Sequence, residues 1–154
     1  MKIKVIHCGK VAQQTFLPIV QDYMKRTSAF YKLENIELKH DFAHRDKRAN
    51  KLSSDPIVKP TLGEYLVFLD ERGLELTSKE VSIRIGKLTD DPRIKLLTFV
   101  VGPPYGFDDV SKSAANEIWS LSKLTIPSDF AWLLLWEQIY RGVTILKGIP
   151  YHHD

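Results

Sequence analysis

Two short runs of almost uninterrupted apolar side chains, "YLVFL" at 65–69 and "IKLLTFVVG" at 94–102, constrain this chain more than any other feature. Runs this short, without polar alternation, suit strands covered on both faces, and such strands belong to parallel sheets with helices above and below. The intervening sequence agrees. "TSKEVSIRIGKL" at 77–88 opens with a capping box, Thr77 with Glu80 three residues on, and continues with Val81, Ile83, Ile85 and Leu88 as a short helix. Upstream, "KIKVIH" at 2–7 alternates polar and apolar and stops near Gly9, which predicts a first strand. Phe16, Ile19, Val20, Tyr23 and Met24 then recur at helical spacing, with Pro18 expected to kink or delay that helix. "KLENIELKH" at 32–40 predicts a second strand, and the strand at 65–69 is expected to stop at Asp70. The order is strand, helix, strand, connection, strand, helix, strand: an α/β fold with a mostly parallel sheet, in one domain over residues 1–154.

Composition narrows the function classes. With 154 residues, 44% hydrophobic and 27% charged, the chain can bury one core and host one site, or one site shared between subunits. The single Cys8 excludes an intramolecular disulfide, and "MKIKVIHCGK" lacks the apolar run of a secretory signal, so a cytoplasmic location is expected. No run is long enough to predict a membrane span. A net charge of +3 permits a nucleic-acid partner without arguing for one. The charge is uneven, however. Between 39 and 51, Lys39, Arg45, Lys47, Arg48 and Lys51 face only Asp41 and Asp46, a pattern read either as a solvated segment or as a phosphate-contacting one.

Parallel sheets bind ligands in the crevice beyond the carboxyl ends of their strands. Three segments fall there: Leu69 to Gly73, Gly102 to Gly106, and "WSLSKLTIPSD" at 119–129. A glycine such as Gly102 at a strand end lets a ligand approach the backbone. The serines, Thr125 and amides of the third segment suit a polar ligand edge, while Leu121, Leu124 and Ile126 suit an apolar one. A last helix is expected after Pro127, with Ser128 as its N-cap. It is apolar nearly all round from Phe130 to Trp136, which calls for cover on more than one side, including a second subunit. Glu137 and Arg141, four apart on this helix, form either a simple ion pair or a carboxylate orienting a cation. The last residues, "PYHHD", add Tyr151 and His152. His152 and His153 are neighbours without a supporting cysteine or carboxylate pattern, so no metal is expected.

In that order, "FLDERGLELTSKE", "FVVGPPYGF", "WSLSKLTIP", "EQIYRG" and "PYHHD" resemble the RlmH family of SPOUT-class ribosomal RNA methyltransferases. The likeness reaches back to Gly9-Lys10 and is strongest from Leu66 onward. What the resemblance implies is an α/β fold with a C-terminal trefoil knot, a homodimer, and transfer of a methyl group from S-adenosylmethionine to N3 of a pseudouridine in 23S ribosomal RNA of the large subunit. It implies cofactor contacts by Leu69, Gly102, Leu121, Ser122, Lys123, Leu124, Thr125 and Ile126. N3 of a pseudouridine carries a proton that must leave, and the resulting negative charge needs stabilising. His152 and Arg141 are the expected proton acceptor and cation, with Tyr151 positioning the base and Glu137 orienting Arg141.

The chain also departs from that family's pattern. Pro103 stands where a second glycine is usual, and Ser128 and Trp132 stand where the family carries a histidine and an arginine. These departures point to altered RNA contacts more than to lost donor binding. They also leave room for two other functions: a non-catalytic RNA-binding or ribosome-assembly protein on the same fold, or an α/β small-molecule binder without an RNA partner.

Overall fold

The computed structural model describes residues 1–38, 57–103 and 106–153. The basic run at 39–51 lies outside the described residues. Five strands, β1 (Lys2–Cys8), β2 (Lys32–Leu38), β3 (Glu64–Glu75), β4 (Leu96–Val101) and β5 (Glu117–Ser120), form one sheet in the order β2-β1-β4-β3-β5. Every described pairing is parallel. The uninterrupted apolar runs occupy β3 and β4, interior strands of the sheet, as two-sided burial requires.

Among the described residues, four α-helices accompany the strands: α1 (Leu17–Thr27), α2 (Ser78–Asp90), α3 (Asp109–Ala114) and α4 (Ser128–Leu146). Alternate residues of each strand feed two separate cores. Ile3, Val5, Val67, Leu97 and Phe99 pack with Val20, Val81, Ile85, Trp132, Leu135, Trp136 and Ile139, so α1, α2 and α4 share one face. Ile6, Leu66, Phe68 and Val100 pack with Phe107, Ile57, Val58 and Ala115 on the other, where among the described residues the short α3 is the helix present. Helices therefore flank both faces, unequally. Right-handed crossovers account for the division. From β1 to β2 and from β3 to β4 the chain steps the same way across the sheet; from β4 to β5 it steps back, so α3 must cross the opposite face.

Local signals held where the chemistry is local. The α2 capping box forms in full: Thr77 Oγ1 accepts from the Glu80 amide, and the Glu80 carboxylate accepts from the Thr77 amide at 2.7 Å. Pro18 delays α1 rather than kinking it. A 3-10 turn spans Gln14–Phe16, and the helix proper opens at Leu17 with the proline in its first turn, where no amide is needed. Three expectations are corrected. Strand β3 does not stop at Asp70 but resumes at Leu74–Glu75 beside β5. Ser128 is not the cap of α4: it is the first helical residue, and Pro127 precedes it with no side-chain cap. Helix α3, which the periodicity reading passed over, is capped by Asp108, whose carboxylate accepts from the Ser111 amide at 2.8 Å.

Candidate active site

Strands β3 and β4 are neighbours whose outgoing connections leave toward opposite faces, and a crevice opens between them. Its first wall is an interruption in β3. Leu69 and Leu74 both pair with Trp119 of β5, so Asp70, Glu71, Arg72 and Gly73 are looped out of the ladder. Gly73 permits this. A Cβ there would sit 2.6 Å from the Trp119 carbonyl carbon and 2.8 Å from that of Ile118. The second wall is the end of β4, where Val101, Gly102 and Pro103 run toward Gly106 and Phe107. The Cβ space at Gly102 is taken by the Phe107 ring, 2.8 Å away, rather than left for a ligand. Pro103 is accommodated within a turn, its carbonyl accepting from the Gly106 amide at 2.9 Å, and Gly106 takes the positive φ of 77° that the turn requires.

The third wall is the loop from β5 to α4. Ser120 Oγ donates to the Ser122 carbonyl at 2.8 Å, Ser122 Oγ accepts from the Leu124 amide at 3.0 Å, and Thr125 Oγ1 donates to Glu71 at 2.7 Å. These hydroxyls thus shape the loop and tie it to the first wall. The walls enclose a cleft of about 730 Å³, within the usual range for a small-molecule site. Of the eight residues singled out for the cofactor, Leu69, Gly102, Leu121, Ser122, Leu124, Thr125 and Ile126 line it. Lys123 is absent from that lining; its ammonium lies out on the surface, 3.8 Å from Glu75. Of its charged rim, Asp70, Glu71 and Arg72 belong to the Leu69-to-Gly73 segment expected at the crevice, whereas Lys112 was not foreseen. Asp70 pairs with Lys112 at 2.9 Å, and Glu71 and Arg72 stand beside them. Burial pushes the Asp70 carboxyl up, but the Lys112 ammonium and the Arg72 amide outweigh it and hold Asp70 ionised, below its ordinary range.

Glu137, Arg141, Tyr151 and His152 do meet, at another place. Arg141 Nε donates to Glu137 Oε1 at 2.9 Å, its Nη1 donates to His152 Nδ1 at 3.1 Å, and its guanidinium lies 4.8 Å over the Tyr151 ring. Tyr151 donates to Glu137 at 3.1 Å and packs edge-on against Tyr140. Burial, a hydrogen bond with Tyr23 and the Glu137 charge all raise the Tyr151 phenol, so it remains protonated at neutral pH. Glu137 raises Arg141 further. A guanidinium cannot accept, so His152 Nδ1 is the acceptor in this contact and the neutral ring carries its hydrogen on Nε2.

None of these four residues lines the cleft. Each cluster includes residues of α4, and the ten residues from Ala131 at the cleft to Arg141 span about 15 Å of helix. Trp132 and Trp136 approach neither. Both are fully buried in the shared core, and their indoles donate to Asn35 Oδ1 on β2 at 2.8 and 3.1 Å. Much of the cover that the apolar α4 demands therefore comes from this chain's own β2, α1 and α2.

Comparison with known proteins bears on the whole chain. Residues 1–152 match a family model described as "Predicted SPOUT methyltransferase". A protein of Maridesulfovibrio salexigens called ribosomal RNA large subunit methyltransferase H is 36% identical, covering 99% of this chain and 98% of its own. Proteins of the same name from Gloeobacter violaceus and Parabacteroides distasonis are 34% and 36% identical, each over at least 99% of both chains.

Proposed function

Because this chain belongs to the SPOUT methyltransferase family, we propose that it transfers a methyl group from S-adenosylmethionine to N3 of a pseudouridine in 23S ribosomal RNA, acting in the cytoplasm as a homodimer. The observation that carries this reading is the cleft itself. Three segments distant in sequence, in which the resemblance implied cofactor contacts, converge at the switch point of a parallel sheet. The trefoil knot belongs to the same reading, in which the segments that meet at the cleft are parts of the threaded chain.

The residues present suit such a cofactor. Leu69, Val101, Leu121, Ile126 and Ala131 offer an apolar slot for an adenine ring, and the Asp70, Glu71, Arg72 and Lys112 rim offers both signs of charge for an amino-acid end. When bound, the cofactor supplies an already activated methyl on a sulfonium, so methyl transfer itself demands alignment more than further activation. The protein's remaining task is the proton on N3. Arg141 and His152 are each other's partners in the resting tail, and a base seated on Tyr151 would replace that contact. It would free His152 Nδ1 to accept the N3 proton and turn the Arg141 guanidinium toward the carbonyl oxygens that take up the negative charge. Glu137 keeps Arg141 in place, and Tyr151, held protonated, contributes its ring face and a hydrogen bond.

On this reading, the helix-length separation between cleft and tail is bridged by a second copy of the chain. Partly exposed apolar side chains along α1 and α4, Ile19 at 45% and Phe130 at 51%, give a second copy a surface to cover. The tail of one protomer is then brought to the cleft of its partner. Mass spectrometry of 23S RNA nucleosides from cells with and without the gene tests the reading: the N3-methylated pseudouridine is expected to vanish in the deletion and to return when the purified protein and S-adenosylmethionine are added to the mutant ribosomes. An unchanged modification level would overturn it.

A further inference from the structure

His7 and Asp129, which neither the cleft nor the tail cluster includes, form a buried cluster of their own. His7 is 1% exposed at the end of β1, and Asp129 is 6% exposed in the first turn of α4. His7 Nδ1 donates to the Gly9 carbonyl at 3.0 Å. Its Nε2 lies 3.2 Å from Asp129 Oδ1, outside hydrogen-bond alignment. The other carboxylate oxygen of Asp129 accepts from the Ala12 amide at 2.9 Å and the Gln13 amide at 2.7 Å. The next residue repeats the connection, with the Phe130 ring edge-on to Phe16 at 4.9 Å between centroids.

Stability alone is a poor reason for such a cluster. A carboxylate taken out of water loses hydration that a buried partner barely repays, and apolar replacements often serve stability better. An acidic residue in the first turn of a helix normally interacts with that helix's own amides. Asp129 instead reaches amides more than a hundred residues away in sequence, and the residues just before it, Ile126, Pro127 and Ser128, line the cleft. Pro127 brings no side-chain cap of its own. Building on the cofactor reading above, we infer that His7 and Asp129 are positioning residues: they clamp the end of the 121–128 loop to the segment after β1, so that the donor-binding wall is formed before the cofactor arrives.

A loop already ordered spares the ligand the entropy of ordering it. Asp129→Ala is therefore expected to raise the calorimetric Kd for S-adenosylmethionine about tenfold, leaving kcat at saturating donor within about twofold of wild type. Asp129→Asn, which keeps an oxygen for the two amides and turns an N–H toward His7, is expected to restore most of the affinity. Trp136→Phe, which removes the 3.1 Å bond to Asn35 farther along α4 from the clamp, should lower the Tm but not the affinity. Should Asp129→Ala not fold, His7→Ala carries the same expectation in the same direction. Hydrogen exchange measured without cofactor separates this inference from the reading it rests on. The amides of 121–128 are expected to exchange faster in the Asp129 variant; unchanged protection, or a folded variant that binds the donor as tightly as wild type, overturns the clamp. Failure of the wild-type protein to bind S-adenosylmethionine overturns the cofactor reading instead.

Discussion

One oxygen on Asn35 accepts from two indoles of α4, so a single polar atom on β2 satisfies the only polar groups that Trp132 and Trp136 bring into the core. Glu64 shows the same economy with a charge. Its carboxylate is buried between Lys4 of β1, at 2.8 Å, and Thr98 of β4, and it also accepts from the Thr61 amide. Burial pushes this carboxyl up, but the bonds from Lys4, Thr98 and Thr61 outweigh it and bring it from 4.5 down to about 2. A group more acidic in the folded state stabilises that state above its unfolded pKa and loses the contribution as pH falls toward the folded value. The difference corresponds to about 3 kcal/mol, present above roughly pH 4.5 and lost between there and pH 2. Urea unfolding followed from pH 7 to pH 3 should show this acid limb, and Glu64→Gln should lower stability at pH 7 while flattening the curve.

Among the elements, the divided strand β3 decides the most. Had it stopped at Asp70, as its apolar run suggests, the first wall of the cleft would be an ordinary loop. Because Leu74 returns to the partner that Leu69 already has, Asp70 to Gly73 are forced out of the sheet and into the cleft. Gly73→Ala places a methyl group inside the backbone of β5. It is expected to cost about 1–3 kcal/mol in urea unfolding and to weaken donor binding as well, since β5 leads directly into the 121–128 loop. A substitution with no effect on either measurement would mean that β5 shifts freely and that the cleft does not depend on this crossing.

For the whole molecule, the distance between the cleft and the tail cluster sets the terms. A dimer that exchanges tails makes a definite prediction about mixtures. Arg141→Ala removes the tail function and leaves the cleft intact. A substitution that fills the cleft, Ala131→Trp, removes donor binding and leaves the tail intact. Each variant alone should be inactive. Co-refolded in equal amounts they form mixed dimers with one complete site, and about a quarter of wild-type activity is expected to return. A mixture as inactive as its components would mean that each chain uses its own tail.

The strands, the capping box and the apolar last helix were legible because each is specified by neighbours in sequence: period-two and uninterrupted apolar runs, a Thr and a Glu three apart, a proline at a helix start. Much of the cleft was legible too, since strand ends in a parallel sheet are predictable places. His7, Asn35 and Asp129 were not. Each looks like an ordinary polar residue of its strand or helix start, and its meaning lies in partners found 97 to 122 positions away. The same holds for Gly73, whose need for a missing Cβ comes from β5, and for Trp132, whose burial against β2 removes it from any surface. The resemblance assigned Arg141, Tyr151 and His152 to the chemistry of the same active site as the cleft residues. Only the tertiary structure set them apart, because about 15 Å of α4 lies between Ala131 at the cleft and Arg141 at the tail cluster.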